Sequence, residues 1–537
     1  MRKGPSSPIN RLLLVLILLL GLALRLYLLI ASQGYVDGDE AMVGLQALEI
    51  LQGRHSVFFA GELLAGSIEA YLVSPIFFVF GASPFTLRVV PVLFSLAFIV
   101  LNYLLAARVF GRAVGLLSAL LVALCPLLLT TLSLKTWGGY IETSAMGEAA
   151  MLLTMGAIAR RSGQPSPFGH LVAVGLISGL ATWMHPLYFY YLFTVGLVLF
   201  VHRFRRSLRE WLAFVLAFLA GCAPLWIGYL SQAQGPSATS AAGLVPLQDM
   251  GSAVLASLAY LVTDALPTVL GLRPIKGEMA ISLAWVAIPV YLSGIVYMAW
   301  KQLRGASAEG SRNAVVLLVF LALSPLVFVL GAITNGNYTA IIPNSGLLSR
   351  YFAPAYTVLP ICAAAVIWDC RRLARWLPVP LLGVLLAANL WSNLGADAIA
   401  SMRSPYENVP LPANNAALIR FLEGEGIRYA YATHWIGYRL MFESRLAIQT
   451  SDYIEQTHGM DRLPRFSQAV EATPEVPAYI LFHPPWQKVP PLEIQLQGLG
   501  VSFSKQVVGD YVVYYGLSRR VHPSEVIESL VWPYWYS

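Results

Sequence analysis

The sequence predicts a polytopic α-helical membrane protein of about eleven spans with a C-terminal extracytoplasmic mixed α/β domain. Three observations lead there. Of 537 residues, 57% are hydrophobic and 12% charged, half the roughly 25% charge of a soluble chain; the mean hydropathy is +0.65. Apolar runs of about 20 residues, enough to cross a ~30 Å hydrocarbon core, recur along most of the chain. Beyond about residue 395 the composition turns polar, and short β-rich runs alternate with turn residues.

The elements follow in order. A basic start, Met1 to Arg11, precedes an apolar run over Leu12–Ala31. That run is longer than the 7–15 residues of a signal peptide and lacks a small-residue cleavage site, so it reads as an uncleaved first span. Residues 32–83 form a long loop. Further spans are expected at 84–107, 113–133, 144–159, 168–184, 187–201, 210–230, 281–300, 313–333, 351–370 and 376–395, with 168–201 folded into a hairpin at His185-Pro186. Residues 231–280 form a second long loop. Its apolar piece, 254–271, is interrupted by Asp264 and Pro267 and suits an interfacial or re-entrant helix. In the tail, strands are expected at Arg428–Thr433, Ala478–Phe482 and Val507–Tyr515. The organisation is thus a transmembrane domain over 1–395 and a soluble α/β domain over 396–537.

Charge orients the chain. Arg2, Lys3, Arg108, Arg112, Arg160, Arg161, Arg203, Arg205, Arg206, Arg209, Lys301, Arg304, Arg312, Arg371, Arg372 and Arg375 fall in one set of loops; the other set holds Arg54, Lys135, Arg273 and Lys276. The positive-inside rule places the N-terminus in the cytoplasm and the tail outside, as a multi-pass protein of the cell (inner or plasma) membrane. The net charge of +7 is dispersed among these loops, which argues against nucleic acid as a partner. Cys125, Cys222, Cys362 and Cys370 lie in or beside apolar runs, so no disulfide framework staples the tail. The Asn337-Tyr338-Thr339 sequon is given no weight.

The chemistry concentrates behind the first span, at Asp37-Gly38-Asp39-Glu40. Asp37 or Asp39 can cap the helix that follows, and Asp37-x-x-Glu40 has capping-box spacing. That helix should run to Leu51 or Gln52 and end at Gly53. Capping does not account for Glu62, Glu69 and Glu142 on the same side, nor for Glu148 inside a span, which should face a polar interior. The eight histidines show no ligand spacing.

Asp37-Gly38-Asp39-Glu40-Ala41-Met42-Val43-Gly44, Gly66-Ser67-Ile68-Glu69-Ala70-Tyr71, Trp137-Gly138-Gly139-Tyr140-Ile141-Glu142 and Ser349-Arg350-Tyr351-Phe352-Ala353-Pro354 resemble the polyprenyl-phosphate-sugar-dependent GT-C glycosyltransferases. That group includes the protein O-mannosyltransferases and the aminoarabinose transferases, and an uncharacterised bacterial branch is most similar. His434-Trp435-Ile436-Gly437-Tyr438-Arg439-Leu440 is similar to a stretch in such relatives. The resemblance implies a GT-C fold and transfer of a sugar from a polyprenyl-phosphate donor to a lipid, glycan or protein acceptor, with inversion. By matching position it implies Asp39 as the base, Glu40 as its neighbour and Glu142 as a second acid, although Glu142 also fits a solvated loop charge. For the donor phosphate the candidates are Arg54, Lys135 and Arg350, with Tyr351 beside it; Arg350 equally suits an interfacial anchor. The sequence departs from better-known relatives where a first-loop cation is replaced by Glu69, which leaves Glu69 on the substrate side. No metal site is assigned, and a divalent cation among the external carboxylates stays open. The alternative function is a transporter or flippase of a lipid-linked saccharide, without glycosyl transfer. It would show polar midplane residues and repeated halves, and neither is evident.

Overall fold

The computed structural model describes residues 8–530 except 61, 63–64, 160–167, 205–206, 233–245, 276–278, 305–307, 335–345, 405–406, 408–409, 454–460, 484–490 and 528. Of the residues read above, Arg2, Lys3, Arg160, Arg161, Arg205, Arg206, Lys276 and the 337–339 sequon lie outside these.

Every expected apolar run is helical, but few are straight spans. Among the described residues, five helices are long and apolar enough to cross a membrane: Pro8–Ala31 (α1), Pro84–Phe110, Met250–Val269, Ile281–Leu303 and Asn313–Thr334. Two further spans are bent pairs, Leu208–Gly221 with Ala223–Ser231 at 51° and Leu348–Thr357 with Leu359–Cys370 at 46°. The other expected spans are shorter helices or broken ones. Met250–Val269 differs from the expected re-entrant piece in being one long helical run, distorted by a π turn over Leu261–Ala265 at Asp264, which pairs with Arg273. By length and composition it is a candidate span. The helix Gly38–Leu51 (α2), just behind α1, packs on His434–Glu443 of the tail.

Broken helices leave backbone groups that lipid cannot satisfy, and polar side chains from neighbours take them up. Pro126 ends the helix Arg112–Ala123. From the helix Pro378–Leu394, Asn389 donates to the Leu124 carbonyl (2.7 Å), Asn393 donates to that of Cys125 (2.9 Å), and Ser392 accepts from the Leu127 amide (3.0 Å). Glu148 faces a polar interior, as expected: Asn102 donates to its carboxylate (2.7 Å) and to the Thr357 carbonyl (2.8 Å), while Ser118 donates to Asn102 (2.5 Å). Arg25, buried in α1, spends its guanidinium on Ser95 (2.9 Å) and on the Gly21 and Ala123 carbonyls (both 2.9 Å).

The tail folds as a five-stranded sheet in the order β2-β1-β3-β5-β4, with β1 (Tyr429–Ala432), β2 (Gln449–Asp452) and β3 (Ala478–Phe482) parallel and β4 (Ser504–Val508) and β5 (Tyr511–Tyr515) closing it as an antiparallel hairpin. Both faces are covered. Ala430, Ala432, Ile480 and Val513 pack with Leu418, Leu422, Ile436 and Leu440 on one side; Tyr431, Tyr479, Val512 and Tyr514 pack with Val470 and Leu496 on the other. The runs expected at Arg428–Thr433 and Ala478–Phe482 are strands, whereas Val507–Tyr515 is the end of β4, a turn at Gly509-Asp510 and β5. β2 was hidden because Gln-Thr-Ser-Asp carries no apolar alternation.

Small residues set the tightest helix pair, Phe168–Met184 against Leu208–Gly221. A Cβ on Gly175 would lie 2.4 Å from the Phe214 carbonyl oxygen, and one on Gly179 would lie 2.2 Å from that of Phe218. Backbone cannot yield as a side chain tip does, so the pair tolerates only small residues there. Gly179→Val should therefore destabilise the folded protein by more than about 3 kcal/mol. Thermal unfolding in detergent checks this, against Gly169→Ala as a control, whose Cβ meets nothing within 4 Å.

Candidate active site

The chain leaves α1 and enters α2 through Asp37, whose carboxylate accepts the Glu40 amide (2.9 Å) while Glu40 reaches back to the Asp37 amide (3.5 Å). This is the expected capping box, but both acids do more. Asp37 accepts from Lys135 Nζ (2.7 Å) and from the Trp137 indole (3.1 Å). Glu40 accepts from Lys135 Nζ (2.9 Å) and from Arg88 through Nε (3.1 Å) and Nη2 (2.9 Å). All four charged side chains are fully buried. Two anions face two cations, the condition under which buried charge is tolerable. Burial raises the Glu40 carboxyl, but Arg88 and Lys135 outweigh it and hold the group below its ordinary value.

Helical phase turns Asp39 the other way. Its side chain is 22% exposed and faces His434 Nε2 at 3.3 Å and Arg462 Nη1 at 3.7 Å. Burial works against its charge, yet the hydrogen bond and charge of His434, with the charges of Arg462 and Arg350, bring it down to about 2. Asp39 is therefore ionised throughout the physiological range.

Arg350 comes from the 3₁₀ stretch Gly346–Thr357. Its guanidinium lies over the rings of Trp137 (4.8 Å), Tyr351 (4.9 Å) and Tyr140 (5.8 Å) and donates to the Tyr351 hydroxyl (2.9 Å). Tyr351 is fixed in turn, because Tyr190 donates to its carbonyl (2.7 Å). His185, against Tyr140 at 4.5 Å, is driven down to about 3 by burial and by the Arg350 charge, so it stands there neutral. A cation laid on aromatic faces keeps its donors in plane, the form suited to phosphate oxygens.

Glu69 and Glu142 form a separate acidic pair. Glu69 is fully buried and accepts the Gly138 amide (2.6 Å), which the left-handed turn at Gly138 and Gly139 (φ +82° and +104°) presents to it. Glu142 is fully buried, and neither of its oxygens has a hydrogen-bond partner. Burial, then the nearby Glu142 charge, raises the Glu69 carboxyl well above its ordinary range. Two such carboxyls cannot both ionise without a cation, so the pair retains a proton.

The expected residues thus divide. Buried Arg350, with Tyr351 beside it, is near enough for its charge to act on Asp39, and the Glu142 charge acts on Glu69. Glu40 and Lys135 are corrected: they belong to the buried ionic cluster, where Lys135 has its donors on Asp37, Glu40 and the Met402 carbonyl and offers none to a phosphate. Arg54 is exposed beyond the end of α2, with its guanidinium on Gln52 (3.4 Å), and stands apart from both groups. Glu142 is not a solvated loop charge. Among the described residues no group of three or more His, Cys, Asp or Glu could hold a metal ion. Sequence reasoning missed Arg88, concealed in an apolar run, and Arg462. It had quoted His434 in a motif without giving it a role.

This is a multi-pass membrane protein with the GT-C glycosyltransferase fold, built around an acidic first loop helix and an aromatic-bedded arginine. Residues 68–227 match the model of the dolichyl-phosphate-mannose-protein mannosyltransferase family. In structure the chain is similar to ArnT from Cupriavidus metallidurans bound to undecaprenyl phosphate, with a TM-score of 0.58 and 13% identity over 95% of this chain and 98% of that one. It is also similar to the archaeal oligosaccharyltransferase AglB from Archaeoglobus fulgidus in complex with an inhibitory peptide and a dolichol-phosphate (TM-score 0.52, 14% identity, 89% of this chain and 69% of that one). No curated protein matches the sequence. The likeness to these structures is one of fold, the GT-C fold that the resemblance of the sequence motifs implies.

The charge balance at the base of α2 is testable. Lys135→Met leaves Asp37 and Glu40 to share Arg88 and should destabilise the protein by about 3–5 kcal/mol. Arg54→Ala should shift stability by no more than about 0.5 kcal/mol. Thermal unfolding of the two purified variants in one detergent separates them.

Proposed function

We propose that the protein is an integral-membrane glycosyltransferase that moves a sugar from a polyprenyl-phosphate donor to an acceptor on the outer face of the membrane, with inversion. One observation carries this: an ionised, partly exposed carboxylate at Asp39 lies within the field of a buried arginine held on aromatic faces, Arg350. A base and an anion holder side by side are the parts such a displacement needs.

The chemistry is a single displacement. The acceptor hydroxyl attacks the anomeric carbon and a new carbon–oxygen bond forms. Its proton passes to Asp39, and the bond from that carbon to the phosphate oxygen breaks, its electron pair leaving on the polyprenyl phosphate. Arg350, with the Tyr351 hydroxyl, receives the growing phosphate charge. One displacement at one carbon inverts its configuration. Glu69 and Glu142, holding a proton between them, serve as hydroxyl partners for the donor sugar and replace the cation that better-known relatives carry in that stretch. The membrane part, 1–395, binds the donor, and the α/β domain, 396–537, lies outside with the N-terminus in the cytoplasm. The acceptor class (lipid, glycan or protein) is left to the assay.

Transfer of labelled sugar from polyprenyl-phosphate donors to membrane extracts tests the reading. Asp39→Asn, inserted at the wild-type level, should lose at least about 100-fold in rate. Arg350→Gln should lose about 100- to 1000-fold, as for removal of a charge-stabilising donor. Full activity in Asp39→Asn would reduce that residue to a structural partner of His434 and Arg462. Donor flipping by wild type without transfer, acceptor present, would overturn the enzyme in favour of a flippase. The anomeric configuration of the product, read by NMR, decides inversion.

A further inference from the structure

Asp39 is held from outside its own domain. His434 opens the helix His434–Glu443 directly after Thr433, at the carboxyl end of β1. β1 lies between β2 and β3 in the parallel part of the sheet, so the chain crosses over to opposite sides of it. In open α/β sheets that crossing marks the crevice where ligands bind, and here the crevice abuts α2.

The imidazole is fixed on several sides. Trp435 and Tyr438 meet it edge-on at ring distances of 4.4 and 4.9 Å. α2 makes room for it by carrying glycine: a Cβ on Gly38 would stand 2.7 Å from His434 Cδ2 and 2.9 Å from Nε2. A second glycine on α2, Gly44, admits the Phe442 ring of the same domain helix, at 2.5 Å from its would-be Cβ. The side chains of His434 and Phe442 are therefore seated against glycines of α2, where Nε2 reaches Asp39. His434 is 12% exposed and Asp39 22%, so their contact lies on the open rim rather than in the core.

We propose that the α/β domain completes the active centre, with His434 acting through Asp39 as a positioning residue that aims the carboxylate and stabilises its charge. This rests on the reading of Asp39 as the base. The groups facing Asp39 are His434 from the domain helix, Arg462 from the segment before Pro464–Ala472, Arg350 from the 3₁₀ stretch, and the Asp37 charge from its own helix start. A base must be ionised to work, and the cations keep Asp39 so down to about pH 2. Without His434, burial and Asp37 push the carboxyl up against Arg462 and Arg350 alone. The acid limb of the rate profile then moves to higher pH.

The experiment measures kcat/KM for sugar transfer by the full-length protein between about pH 2 and 9, for wild type, His434→Gln, Gly38→Ala and Asp39→Asn. His434→Gln should move the acid limb up by at least about one pH unit and stay within about tenfold of wild type at pH 8. Gly38→Ala, which displaces the imidazole without removing it, should move the limb the same way. A uniform fall in both variants with no displaced limb would reduce His434 to packing, and superimposable profiles would make the contact incidental; each overturns the proposal. The Asp39→Asn arm separates the two readings. If it keeps full transfer, the base assignment falls and this inference with it. If it is inactive while neither other variant moves the limb, only this inference falls.

Discussion

The site depends on a balance of four buried charges. Asp37 and Glu40 face Lys135 and Arg88 with no solvent access, where an uncompensated ion would be penalised by several kcal/mol. The cations come from different places: Arg88 from the joint ahead of Val89–Phe110, Lys135 from the segment between Leu127–Leu132 and Tyr140–Ile158. Satisfying them fixes the start of α2 against both. Once Asp37 and Glu40 point inward, helix geometry leaves Asp39 facing the rim. Trp137 joins the two groups physically, since its indole donates to Asp37 while its face carries the Arg350 guanidinium. The placement of Arg350 thus follows from the same cluster that places Asp39.

The membrane part obeys a related constraint. Its helices break often, and around Pro126 the freed backbone is satisfied by Asn389, Ser392 and Asn393 from another helix. Asn102, held by Ser118 and Glu148, does the same at the Thr357 carbonyl, next to the bend that delivers Ser349-Arg350-Tyr351. Irregular backbone at membrane depth is admissible only when buried in protein. The bent run carrying Arg350 therefore needs the polar node behind it.

Much of this was legible in the sequence. Apolar runs located the helices, because lipid imposes length and composition on each. α2 was legible down to its capping box, since Asp37, Glu40 and Gly53 are local signals. The acids and Arg350 could be gathered to one region through the resemblance. Their pairing was hidden, because Lys135 and Arg88 stand 95 and 48 positions from Glu40 and nothing local distinguishes a buried lysine from an exposed one. Arg54 illustrates the converse: it lies in the right loop with the right charge, yet Gly53 turns it out to solvent. β2 was invisible for lack of alternation.

The seam between the two parts of the chain is the last consequence. α2 is gripped from within by buried ions and from without by a helix packed on Gly38 and Gly44. Its neighbours behind it are charged and geometrically fixed, so the helix has little freedom to shift toward the α/β domain. The domain must come to it. The absence of a side chain on those glycines is what brings an imidazole from a separate folding unit within 3.3 Å of Asp39. A membrane helix bundle alone could seat a lipid phosphate on Arg350, but the surroundings of the carboxylate beside it are made by both halves. The docking of the α/β domain is therefore part of the chemistry of the rim and not only a platform above it.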